Sequence, residues 1–165
     1  MADVTDLFYA GDAFIGYGAQ IKVGQGDSPE TFVAVADITE ITFGDMTTNV
    51  IPKTHLRSPD RHHEKIATIR DSGPIAMKGN YRPGHGSQSH GTPADGFLAG
   101  RSLLELWETV TEANFIIELP DGSPATELPF RGVVTKFQPG TVGLEVLVDF
   151  SCEITPLQSY SADLP

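Results

Sequence analysis

Between Leu144 and Ile154 the chain alternates strictly for most of its length. Leu144, Val146, Val148, Phe150, Cys152 and Ile154 fall on one side of an extended backbone, and Glu145, Leu147, Asp149, Ser151 and Glu153 fall on the other. Successive strand side chains point to opposite faces. The pattern therefore predicts a final strand, Val142–Ile154, with one dry face and one wet, anionic face. At about 3.3 Å per residue, the alternating segment would span roughly 36 Å, long for a strand and suited to the wall of a barrel, tube or large sheet.

The rest of the pattern predicts antiparallel β-structure with one helix. Ala19–Gln25 reads as a short strand followed by a turn at Gly26-Asp27-Ser28-Pro29. Thr31–Phe43 is rich in Val, Ile and Thr and reads as a strand broken or bulged near Ala36-Asp37. Residues 44–70 show no sustained period and contain Pro52 and Pro59, so they read as a long inter-strand loop or arm. Extended structure resumes at Ile66–Ile69 and Gly73–Tyr81, and Pro83–Pro93 is a Gly/Ser/His-rich loop. Ser102 followed by Glu105 has the spacing of a capping box. Leu103, Leu104, Trp107 and Val110 then follow at helical spacing and predict a stripe that packs on a sheet. Phe115–Leu119 and Leu128–Gln138 are further strands, separated by the turn Pro120-Asp121-Gly122-Ser123. The expected organisation is a single domain over residues 1–165. It has a Gly- and aromatic-containing N-terminal arm (1–18) and a polar C-terminal tail (156–165).

Charge narrows the function classes. The net charge is −11, whereas a nucleic-acid clamp needs a basic face. An acidic protein can still let nucleic acid pass without sticking. No basic region followed by an apolar run opens the chain, and no apolar stretch reaches transmembrane length. The expectation is a soluble protein made in a cytosol, without a membrane partner. The lone Cys152 falls on the apolar face and reads as a small core residue. His55, His62, His63, His85 and His90 show no metal-binding spacing, and no nucleophile elbow is present. No cofactor or catalytic residue is assigned.

Two charged features carry interaction readings. Arg57, Arg61 and Lys65, with His62 and His63 between them, place basic residues in one short segment of an acidic chain. This segment reads either as a solvated loop or as an arm that docks on an acidic surface of another copy. Such charge matching sets register and orientation, and a contact between unlike patches is head-to-tail and propagates. The Glu145, Asp149 and Glu153 face reads either as the outside of a sandwich or as a channel lining that repels a passing duplex. Repulsion of that kind acts within a Debye length of about 8 Å.

The order of these parts resembles the major tail tube proteins of long, non-contractile-tailed bacteriophages. The resemblance covers roughly residues 18–156. Its most telling pieces are Leu119-Pro120-Asp121-Gly122 and Phe130-Arg131-Gly132-Val133-Val134. The resemblance implies a β-sandwich or partial barrel with one flanking helix. It also implies a structural virion protein, not an enzyme, assembled in the host bacterial cytoplasm. In that family, hexameric rings stack into a tube, and each subunit lends strands to an inner barrel that conducts DNA during ejection. Carried onto this chain, the barrel strands are Thr31–Phe43, Gly73–Tyr81, Leu128–Gln138 and Val142–Ile154, and the 44–70 region is the inter-ring loop. Implied partners are further copies of the chain, a tape measure protein in the lumen, and tail terminator and tail tip proteins. DNA passes without specific binding. The same fold serves tail terminators and adaptors, which form one ring and stop. A metal- or carbohydrate-binding β-sandwich using the His-rich loops is the reading from a different class.

Overall fold

Seven strands hydrogen-bond into one antiparallel sheet in the computed structural model, which describes residues 16–26, 28–53, 64–120 and 124–158. In chain order the elements are β1 (Gln20–Gly24), β2 (Phe32–Ala34), β3 (Ile38–Thr42), β4 (Met46–Pro52), β5 (Lys65–Ser72), β6 (Ile75–Asn80), α1 (Leu103–Thr109), β7 (Glu112–Leu119), β8 (Thr126–Pro139) and β9 (Asp149–Pro156). The sheet order is β2-β1-β7-β8-β9-β6-β3, and β4 pairs with β5 as a separate ribbon.

β2 and β3 lie at opposite edges of this sheet, although only Val35, Ala36 and Asp37 separate them. Four Cα–Cα steps reach at most about 15 Å, so the sheet must curl until its edges approach. The expected break near Ala36-Asp37 is this crossing point. Asp37 adopts φ of 55°, a left-handed conformation that Asp tolerates better than most residues. Its carbonyl accepts a 3.0 Å hydrogen bond from the Asn80 amide. Gly79 is needed beside it, because a Cβ there would sit 2.5 Å from the Asp37 carbonyl oxygen.

A buried polar clamp holds the crossing. The Gln88 side-chain amide donates to the carbonyls of Ala36 (2.8 Å) and Asn80 (3.2 Å), and its oxygen accepts from the Arg82 amide (2.7 Å). The Ser87 hydroxyl accepts from the Ala36 amide at 3.3 Å. The loop read as Gly/Ser/His-rich punctuation is therefore a tether with its polar groups satisfied.

β8 joins the two halves of the curled sheet. Its residues Thr126–Val133 pair with β7, and Gly132–Pro139 pair with β9, with a register shift between Val134 and Lys136. The enclosed core contains Ile21, Val23, Ile75, Met77, Phe115, Ile117, Phe130, Val134, Phe150, Cys152 and Ile154. Phe115 stacks on Phe130 with ring centroids 5.4 Å apart. Burial and the adjacent Glu153 carboxylate push the Cys152 thiol up to about 12, so it is an inert core residue.

α1 begins with the expected capping box: the Glu105 amide donates to the Ser102 hydroxyl, and the Glu105 carboxylate accepts from the Ser102 amide. The stripe on the core differs from the expected one. Leu103 and Leu106 are buried and Leu104 is half-buried, whereas Trp107 is 43% exposed and Val110 71% exposed. Only seven residues are helical, and Val110 is the left-handed C-cap at φ 51°. So short a helix presents a single i, i+3 pair to the sheet, and Trp107 turns past the contact.

Glu105 also organises the loop ahead of the helix. Its carboxylate accepts from the amides of Gly91 (3.0 Å) and Gly100 (2.9 Å). Burial would raise its pKa, but these amides and the Ser102 donors outweigh it and hold the carboxyl below the ordinary 4.5. A carboxylate with a depressed folded-state pKa contributes stability above its unfolded pKa and loses it as pH falls through the folded value. Glu105→Gln is expected to lower unfolding free energy by about 2 kcal/mol at pH 7. The gap should narrow below about pH 4, as read from urea denaturation of both proteins at each pH.

Two further expectations are corrected. Residues 44–70 are not a structureless loop, because β4 and β5 pair from Met46↔Ser72 to Pro52↔Lys65. The period was hidden because neither face of this ribbon is buried in one copy. The final strand starts at Asp149, not Val142. Residues 141–147 leave the sheet beyond the last ties between the strands, the Gly140 amide to the Asp149 carbonyl and the Tyr81 amide to the Val148 carbonyl.

Candidate assembly surfaces

The strands β3, β6, β9 and β8 are contiguous in the sheet. Of the segments that the resemblance implies as barrel strands, Thr31–Phe43 contributes only its second half, β3, because β2 lies at the opposite edge. Val142–Ile154 contributes only from Asp149 onward. On their outward face, Glu40, Lys78, Ser151 and Gln138 lie side by side across the strands, and so do Thr42, Ala76, Glu153 and Lys136. Asp149 continues this face beside Asn80. The opposite face of β9 buries Phe150, Cys152 and Ile154.

This face is less anionic than the β9 alternation alone suggests. Lys136 lies 3.6 Å from Glu153, and Lys78 lies 3.6 Å from Glu40. Glu40, Asp149 and Glu153 thus stand against two lysines, leaving one net negative charge per copy. Cross-strand neighbours on β8 and β6 supply the lysines, and a single strand's alternation does not reveal them. Glu145 belongs to the exposed 140–148 loop and not to this strand face.

The four-stranded section has two open edges. β3 pairs with β6 alone, and beyond Val133 the β8 strand pairs only with β9. Among the described residues no strand covers the other side of β3 or of Val134–Pro139. Exposed edges of this kind are templates for pairing with another chain.

The β4–β5 ribbon is the second surface. Every residue of β4 and all but the last of β5 are exposed. Met46, Val50, Ile51, Ile66 and Ile69 are among them, with Ile51 directly opposite Ile66. Such a patch on an isolated protein marks an interaction site. Lys65 opens β5, opposite Pro52. Arg57, Arg61, His62 and His63 lie outside the described residues, as do residues 1–15 of the N-terminal arm and 159–165 of the tail.

The remaining chemistry is structural. His85 Nδ1 lies 2.9 Å from the Ser87 hydroxyl, and Nε2 lies 3.6 Å from Asp95. Asp95 in turn accepts from the Thr92 hydroxyl and the Gly86 amide, which hold its carboxyl below the ordinary range. Ser87 is fully buried, so this Ser, His and Asp cannot present a nucleophile to a substrate. His90 faces Glu105 at 3.4 Å. Among the described residues no group of His, Cys, Asp and Glu is arranged to hold a metal, and no helix is long and apolar enough to cross a membrane.

The sequence profile of the lambda phage tail tube protein family (TTP) matches residues 18–148. The chain belongs to this family. It is a structural component of the phage virion tail, a tail tube protein and not an enzyme. Solved structures share its fold at low identity. The tail of an empty gene transfer agent particle, with C6 symmetry, matches at TM-score 0.63 and 13% identity, covering 91% of this chain and 100% of that one. The SPP1 tail tube matches at TM-score 0.58 and 9% identity, covering 92% and 81%. The sheath/tube terminator of an extracellular contractile injection system matches at TM-score 0.59 and 10% identity, covering 89% and 94%. No curated protein matches the chain by sequence.

Proposed function

We propose that this tail tube protein forms hexameric rings that stack into a tube and conduct the genome during ejection. The observation that carries the reading is the β3-β6-β9-β8 section with its two open edges. These strands alternate in direction, and their number is even. Pairing β3 of one copy with the Val134–Pro139 edge of the next therefore keeps the antiparallel alternation at every junction. A ring built this way leaves no edge strand in its wall. The sixfold symmetry of the gene transfer agent tail supports six copies.

The polar face with Glu40, Asp149 and Glu153 then lines the lumen. Its weak net negative charge, repeated in every copy, discourages DNA from adhering, while Ser, Thr and Gln leave no apolar anchor. Tape measure, terminator and tip proteins are the partners expected along and at the ends of such a tube. The neighbours include a tube-terminating cap and a sheath/tube terminator, so elongation is the property that separates a tube protein from a terminator. Negative-stain electron microscopy of the purified chain across a concentration series, with and without a tail-tip complex, tests this. Hollow tubes are expected. Rings that never stack would assign the chain to the terminator role, and a monomer that an initiating complex cannot polymerise would overturn the proposal.

A further inference from the structure

The β8–β9 connection is tied to the subunit at its ends, where the Gly140 amide donates to the Asp149 carbonyl (2.6 Å) and the Tyr81 amide to the Val148 carbonyl (2.7 Å), but residues 141–147 between them are all exposed. Val142 is 81% exposed, Val146 65% and Leu147 77%, and Leu144 is fully exposed. The alternation that makes this stretch read as a strand is real in the sequence, but among the described residues no strand pairs with 141–147. The loop lies at the end of the sheet where Pro139 opposes Phe150 and Asn80 opposes Asp149. The β4–β5 ribbon leaves from the other end, where Thr42 opposes Ala76 and Ile75 opposes Ile154. β6 alone separates the two ends by about 20 Å. The two apolar surfaces thus sit at opposite poles of one molecule and, being exposed, do not cover each other.

We propose that residues 140–148 form the socket that receives the β4–β5 ribbon of a second copy in the adjacent ring. Ring stacking, on which this rests, supplies the second copy; the socket itself is a new assignment. Three features select this occupant. The apolar sets are matched in kind, aliphatic on both sides. Their polar placement makes the contact head-to-tail, so each copy fills one neighbour and is filled by another, the geometry of a filament. Their charges are complementary. At the far end of the ribbon, the described residues Lys53 and Lys65 stand against Glu64 alone, a net of +1 in a chain of net −11. The socket carries Glu145 and the adjoining Asp149 without a basic residue. Opposite charge around an apolar centre sets register and speeds docking, and it weakens with salt.

Cross-linking between single-cysteine additions tests the contact. Cys152 is buried and does not compete. One batch of full-length protein carries Ile51→Cys, the other Leu144→Cys, and the two are mixed, assembled and oxidised. The expected result is a disulfide-linked dimer that forms only from the mixture and only under assembling conditions. In a second measurement, Leu144→Asp with Val146→Asp should raise the concentration needed for stacking at least tenfold while circular dichroism stays unchanged. Tubes that form normally without the cross-link, or with the double aspartate variant, overturn the socket and leave the tube reading standing. Failure of the unmodified protein to stack on an initiating complex overturns both.

Discussion

Phe130→Ala should destabilise the subunit by about 3–5 kcal/mol, the usual cost of emptying an aromatic site in a closed core. Phe130 is fully buried and stacks on Phe115 across the β7–β8 ladder. It stands on β8 just before the stretch where that strand passes from one half of the curled sheet to the other. Gly132 prevents local repair, since a Cβ there would meet the Thr155 carbonyl and the Ile154 side chain at 2.9 Å, so the two backbones are already in contact. The cavity therefore stays open. Trp107→Ala is the informative control: the indole is nearly half exposed, and its truncation should cost less than about 1 kcal/mol in the isolated subunit. Urea denaturation of both variants checks the pair. Equal losses would mean that the α1 stripe carries the core after all.

The strands legible in the sequence were those that bury one face within a single copy. Phe150, Cys152 and Ile154 alternate with polar residues because the β9 core face is dry here, and the break at Ala36-Asp37 showed because the turn needs an unusual residue. The Ser102–Glu105 capping box was readable because it depends on three-residue spacing alone. The ribbon was misread for the opposite reason: both of its faces are exposed in the subunit, so selection for burial left no period to find. The stretch 142–147 differs in a complementary way, since its alternation is present but no strand among the described residues pairs with it. The helix stripe failed by geometry, because spacing through Trp107 and Val110 presumes a helix that continues, whereas the left-handed Val110 ends it. On the outward face of the β3-β6-β9-β8 section, β9 alone displays its carboxylates to a sequence reading, and the lysines that temper them stand on neighbouring strands. The positions where sequence and structure differ thus lie largely outside the subunit core, where burial within one copy imposes no pattern.

Excising the β4–β5 ribbon should leave a folded subunit that no longer elongates. The neck of the ribbon is already closed: the Gly73 amide donates to the Asp45 carbonyl at 2.9 Å, and a Cβ on Gly44 would lie 2.3 Å from the Gly73 carbonyl carbon. Residues 46–72 can therefore be replaced by two or three glycines, as a hairpin turn joins two strands, with little added loop entropy. The core has no member in the deleted segment, so the thermal midpoint should move by only a few degrees. Assembly should respond very differently, because the deletion removes Met46, Val50, Ile51, Ile66 and Ile69 and the basic run between the strands. The expected outcome is loss of tubes at concentrations a hundredfold above those at which the intact protein polymerises. Isolated rings should persist, because the free edges of β3 and β8 are untouched. Sedimentation and electron microscopy read both consequences at once. Rings without tubes separate stacking from ring closure and place stacking on the ribbon. Tubes of ordinary length would mean that the termini hold the rings together and that the exposed aliphatic residues of the ribbon serve another contact.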